Sequence, residues 1–149
     1  MSGRPGSGPA PRRLLTDWTT TAGVAGDGLL AIVDGTGATA EGVHLATLGY
    51  EVMVLGTGDD LTRVHHVDVA PAALPEAWRR RFALVVTFEP GAAADLAPTV
   101  ADGGLLVVLG DAGLVPDLAA TGLTEVQREE GPDPDGGPGD RFRLVAARV

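Results

Sequence analysis

The sequence predicts an α/β fold, a mostly parallel sheet that ends in an antiparallel hairpin. Three observations carry this. Residues 29–33 (LLAIV), 83–86 (ALVV) and 105–109 (LLVVL) are unbroken apolar runs, as expected of strands covered on both faces. The first run leads through a Gly-Thr-Gly turn into a stretch of helical periodicity. The last third of the chain holds two segments that alternate apolar and charged residues around a Pro/Gly-rich loop.

Along the chain, residues 1–13 (MSGRPGSGPAPRR) have no apolar periodicity and read as a disordered tail, so that residues 14–149 form a single domain. Residues 14–21 fit a short helix with Trp18 turned inward. Strand one, residues 29–33, ends at Asp34. After Gly35-Thr36-Gly37, the apolar positions Ala40, Val43 and Leu48 recur at helical spacing, and Gly49 stands where a left-handed C-cap belongs. Residues 50–55 (YEVMVL) form strand two, which completes a strand–helix–strand unit.

Between strands two and four the pattern is reduced. Residues 56–62 are fewer than the dozen that a parallel crossover normally needs, so residues 63–69 read either as a short strand in an unusual position or as plain connection. Residues 74–81 fit a short helix, 82–88 strand four, and 92–100 a helix limited by Pro98. Strand five spans 105–109, a further short helix 114–120, and the final strands 123–128 and 141–148. Their connecting loop, residues 129–140 (EEGPDPDGGPGD), is acidic.

Composition narrows the chemistry. The formal charge of −9 repels a phosphate backbone and no aromatic-studded basic face occurs, which argues against nucleic acid. Arg79-Arg80-Arg81 reads as the solvated end of a short helix. Cysteine is absent, which excludes thiolate metal sites and thiol nucleophiles. Lysine is also absent, which excludes a P-loop lysine or a Schiff base. Serine occurs only at Ser2 and Ser7, so a serine triad has no credible nucleophile. The single Ile, with no Lys or Asn, suggests a GC-rich genome of actinobacterial type. No run approaches the length needed to span a bilayer and no signal core is present, so a cytoplasmic location is expected.

The element order, together with IVDGTGAT at the first turn, FALVVTFEP at strand four and VADGGLLVVLG at strand five, resembles the class I S-adenosylmethionine-dependent methyltransferases from about residue 29 to 149. The resemblance implies a three-layer Rossmann-like sheet, S-adenosylmethionine as cofactor and a small-molecule acceptor. It places Asp34, Gly35, Thr36 and Gly37 against the cofactor's amino acid part. The acidic residue that the family sets at the end of strand two is replaced by Gly56 or Thr57, and Asp59 or Asp60 could serve only by folding back. Asp68 matches a residue near the adenine. Thr87 and Glu89, beyond strand four, are the candidate catalytic residues. Of His65 and His66, one, with His65 as the candidate, is suited to general-base work because its pKa lies near neutrality; their adjacency on a strand argues against a shared metal. Two other readings stay open: a non-catalytic relative acting as a scaffold or partner subunit, in a homodimer or with another protein, and an NADP-binding reductase-type domain.

Overall fold

The computed structural model describes residues 10–149, so most of the expected tail lies outside the described residues. Seven strands form one sheet: β1 (Leu30–Asp34), β2 (Glu51–Leu55), β3 (Val64–Val67), β4 (Phe82–Thr87), β5 (Val100–Asp111), β6 (Thr124–Pro132) and β7 (Asp140–Ala147), in the order β3-β2-β1-β4-β5-β7-β6. All pairs from β3 to β5 are parallel, whereas β7 runs antiparallel to both β5 and β6. The expected sheet with its antiparallel ending is therefore present.

Helices cover both faces. On one lie α1 (Arg13–Ala22), with Leu15 and Trp18 buried, and α2 (Thr39–Thr47), with Leu45 buried. They pack on Ala31, Val33, Val52, Val54 and Val86. Helix α2 lies so close to the sheet that a Cβ at Gly42 would come within 2.7 Å of Val54 Cγ2. The other face packs Ile32, Val85, Leu106, Phe142 and Leu144 under the short helix α3 (Ala93–Leu96) and Leu123. Each fully buried side chain of this size contributes roughly 1.5–3 kcal/mol.

Several local expectations change. Residues 63–69 do contain a strand, β3, parallel to β2 and at the sheet edge. Residues 56–63 suffice without a helix because an extended chain of that length reaches about 26 Å, whereas returning along β2 needs about 17 Å. The turn is closed by the Leu61–Val64 bridge, with Arg63 at φ 62°. No helix forms over 74–81: Pro75 holds Leu74 extended at ψ 145°, which leaves 3-10 turns at Pro71–Ala73 and Glu76–Trp78. The helix expected over 92–100 shrinks to α3 flanked by 3-10 turns, with Pro98 in the second of them. The helix expected over 114–120 is absent; Pro116 interrupts it, and a 3-10 turn at Ala112–Leu114 stands before it. Strand β5 runs longer than its apolar core, and because β6 continues to Pro132 and β7 begins at Asp140 the acidic loop contracts to residues 133–139.

The outer strand β6 is exposed on almost its whole length and carries Glu125, Arg128, Glu129 and Glu130. Charge of this kind protects an open sheet edge from pairing with other chains. No helix among the described residues is long and apolar enough to cross a membrane.

Candidate functional site

Strands β1, β2 and β4 end level with one another, since Asp34 pairs in register with both Leu55 and Thr87. Beyond this common edge the chain turns sharply after β1. Gly35 takes φ 140°, and a Cβ there would lie 3.0 Å from Phe88 Cβ; Gly37 takes φ 70° with open space where a Cβ would stand. Glycine is needed at both points, at the first for space and at both for backbone conformation.

The turn feeds directly into α2. The N–H groups of Gly35, Thr36 and Gly37 donate no hydrogen bond among the described residues outside the helices and strands. They border a cavity of about 390 Å³ whose further walls are Ala38, Thr39, Val54–Thr57, His66 and Glu89. Unspent amides at the start of a nine-residue helix form an environment for an anionic group such as a carboxylate.

Asp34 is nearly buried, and its Oδ2 accepts the Thr87 hydroxyl at 3.0 Å. Burial raises the Asp34 pKa above the usual carboxylate value, the Thr87 hydrogen bond opposes that, and the charge of Glu89 adds to the rise. Thr87 itself is fully buried. Its Oγ1 also accepts the Glu89 N–H at 3.0 Å, so Thr87 joins β1 to the start of the β4 exit and touches neither cavity of the site. Glu89 is exposed at the rim.

A second cavity, of about 340 Å³, adjoins the first and shares Thr36 and Glu89 with it. Its apolar walls are Leu14, Phe88 and Leu109; its charged walls are Arg12, Asp133, Asp135 and Arg141. Arg12 is the hinge between the N-terminal segment and the turn. Its guanidinium donates to Glu41 Oε1 at 2.9 Å and to the Thr36 carbonyl at 3.0 Å, and lies 4.0 Å from the Phe88 ring centre. Its backbone N–H donates to Glu41 Oε2 at 2.6 Å. Arg12 thus lines the second cavity and leaves the first open.

The remaining candidates lie elsewhere. His65 is on β3 with its Nε2 3.2 Å from Glu51 Oε2 and half exposed, away from both cavities. Its neighbour His66 does line the first cavity: Nε2 lies 3.0 Å from Thr39 Oγ1, and the ring packs beneath Gly58. Asp59 and Asp68 are exposed and line neither cavity, and Asp60 accepts the His66 backbone N–H at 2.8 Å, capping β3. The end of β2 therefore offers the first cavity Val54, Leu55, Gly56 and Thr57, and no carboxylate. No group of three or more metal-ligating side chains occurs among the described residues.

Sequence reasoning did not identify Arg12, Phe88, Asp133 or Arg141. The only signal for Phe88 was its place as the last residue of the expected strand four, and Arg12 lay in a segment read as tail.

No protein-family model and no curated protein matches the sequence. Solved structures do match in shape. Burkholderia thailandensis 1,6-didemethyltoxoflavin-N1-methyltransferase, solved with S-adenosylhomocysteine, superposes with a TM-score of 0.65 at 12% identity, over 90% of this chain and 76% of that one. The [4+2]-cyclase SpnF gives 0.68 at 13% identity, over 91% and 80%. The 16S rRNA (adenine(1408)-N(1))-methyltransferase of Catenulisporales acidiphilia gives 0.61 at 13% identity, over 90% and 93%. With its strand order and antiparallel β7, the chain has the fold of the class I S-adenosylmethionine-dependent methyltransferases.

Proposed function

We propose that this chain binds S-adenosylmethionine in the cavity above the Gly35–Gly37 turn and methylates a small molecule held in the adjoining cavity. The observation that carries the reading is the turn itself: three residues whose backbone N–H groups make no hydrogen bond among the described residues line an open space at the ends of β1 and β2, with Glu89 beyond β4. In open α/β sheets this carboxyl edge is where ligands sit. When bound, the cofactor supplies a methyl group to the acceptor and leaves as S-adenosylhomocysteine, with the acceptor's proton passing to solvent or a nearby base.

In this reading Gly35, Thr36 and Gly37 hold the amino acid part by their amides, and Asp34 stands beneath the turn to receive an ammonium. The ribose meets the Gly56 backbone and the Thr57 hydroxyl, both neutral. Glu89, common to both cavities, is the side chain able to orient an acceptor or take its proton. Thr87 is a positioning residue, holding Asp34 and the Glu89 backbone. Little further catalytic equipment is required, because transfer between two bound molecules depends chiefly on their alignment.

A silent scaffold is the second reading, and the missing carboxylate at the end of β2 favours it. The antiparallel β7 speaks against the NADP-binding alternative. Calorimetric titration with S-adenosylmethionine, S-adenosylhomocysteine and NADPH separates the three. Binding of the first two alone is expected; no binding of any points to the scaffold, and NADPH alone to the reductase-type domain.

A further inference from the structure

The second cavity has a composition that selects its ligand by charge. Its apolar part is formed by Leu14, Phe88 and Leu109. Both of its cations are already committed. Arg12 is paired with Glu41 at 2.9 Å and Arg141 with Asp111 at 3.0 Å, while the buried Arg141 Nε lies 3.5 Å from Asp133 Oδ2 without a hydrogen bond. Asp135 accepts the Arg13 backbone N–H at 3.0 Å. Glu89 alone among the cavity's charged side chains makes no hydrogen bond or ion pair through its carboxylate among the described residues. The cavity therefore presents two carboxylates without a counter-charge among the described residues, Glu89 and Asp135, of which only Glu89 is also free of hydrogen bonds, on an apolar lining within a chain of net charge −9.

The Arg12 guanidinium covers one face of the Phe88 ring, 4.0 Å from its centre, so Phe88 offers a ligand apolar contact and the charge preference of the cavity rests on its carboxylates. An anionic ligand would have to break the Arg12–Glu41 or Arg141–Asp111 pair and would then lie beside Glu89 and Asp133.

We propose that the second cavity binds a small organic amine in its ammonium form, with the ammonium on Glu89 and its apolar body against Phe88, Leu14 and Leu109. This deepens the methyltransferase reading and rests on it for the role of acceptor: the bound ammonium first passes a proton to the Glu89 carboxylate, and the nitrogen lone pair so freed takes the methyl group as S-adenosylhomocysteine departs. The binding itself stands on the cavity.

The test compares three probes of one shape: phenethylamine, 2-phenylethanol and phenylacetate. Binding to the full chain is followed at neutral pH by calorimetry and by amide chemical-shift changes at Leu14, Phe88 and Gly110. Phenethylamine is expected to bind at least tenfold more tightly than the other two, with shifts at those residues. Glu89→Gln, on an exposed side chain whose loss leaves the fold intact, should bring phenethylamine to the level of 2-phenylethanol; an unchanged thermal midpoint checks the fold. Equal or tighter binding of phenylacetate overturns the proposal, as does an amine preference that survives Glu89→Gln. A parallel titration with S-adenosylhomocysteine keeps the two readings apart. Cofactor binding without amine binding removes this inference and leaves the proposed function. Amine binding without cofactor binding does the reverse.

Discussion

The Thr87 hydroxyl donates to Asp34 Oδ2 at 3.0 Å, across the level ends of two neighbouring parallel strands. It is the main direct support of a carboxyl group that is 7% exposed and sits immediately beneath the glycine turn. Thr87→Val should therefore destabilise the chain by about 1–3 kcal/mol, because it leaves a buried acceptor without its donor, whereas Thr87→Ser should recover most of the loss. Chemical denaturation of both variants measures this.

The same carboxyl predicts a pH effect. Burial, the largest cause, raises the Asp34 pKa above 3.8, so the folded state favours the protonated form more than the unfolded chain does. Stability from this group is present below pH 3.8 and lost as pH rises through the raised value. Asp34→Asn should accordingly raise the thermal midpoint at pH 7. The gain should fade as pH approaches 3.8. A gain that stayed constant down to pH 4 would show that the charge is not the cause.

His44 carries the opposite sign. Its Nε2 lies 2.8 Å from Thr19 Oγ1, joining α2 to α1, and burial lowers its pKa below 6.5 even though Glu41 pulls it up. A histidine favoured in its neutral form contributes stability above pH 6.5 that is lost as pH falls through the lowered value. Urea midpoints should fall between pH 7 and pH 5, and His44→Gln should flatten that part of the profile.

Arg12 and Glu41 form a pair whose acidic member has a side chain only 2% exposed. Arg12→Ala should cost about 1–3 kcal/mol by leaving that carboxylate short of a partner. The double variant Arg12→Ala, Glu41→Gln should be more stable than the two single effects summed. Additive behaviour would mean that the pair does not hold the N-terminal segment to the turn.

Much of the sheet was legible because buried parallel strands are near-continuously apolar, as residues 29–33, 83–86 and 105–109 are, and turn residues flank them. The helices were less so. Periodicity suggested helices at 74–81 and 114–120, but Pro75 and Pro116 break them locally, and no long helix is required because the sheet face there is covered by turns and side chains. At the site, Asp34, Gly35, Gly37 and Glu89 could be found because chain order alone sets the ends of β1 and β4 together. Arg12 could not. Its contacts reach Glu41, 29 residues away, and Asp135 of the far hairpin meets its neighbour Arg13 across 122 residues. Such partnerships exist only once the sheet has formed. His65 and His66 illustrate the same limit, since strand alternation shows that they face opposite ways but not which one faces α2.

Gly37 separates backbone strain from ligand binding. It shares with Gly28 a positive φ and open space at the Cβ position. Replacing either by Ala should cost about 1–2 kcal/mol through the left-handed backbone. Only Gly37→Ala should also weaken S-adenosylhomocysteine binding, by tenfold or more, and equal effects of the two variants would deny the turn any contact with the ligand.

Whether the amides of the first turn receive the cofactor is decided by amide chemical-shift mapping with S-adenosylhomocysteine at millimolar concentration. The largest changes are expected at Gly35, Thr36, Gly37 and Ala38, with smaller ones at Gly56 and Thr57. An unchanged spectrum, or changes confined to residues away from the ends of β1 and β2, would mean that the turn holds no cofactor.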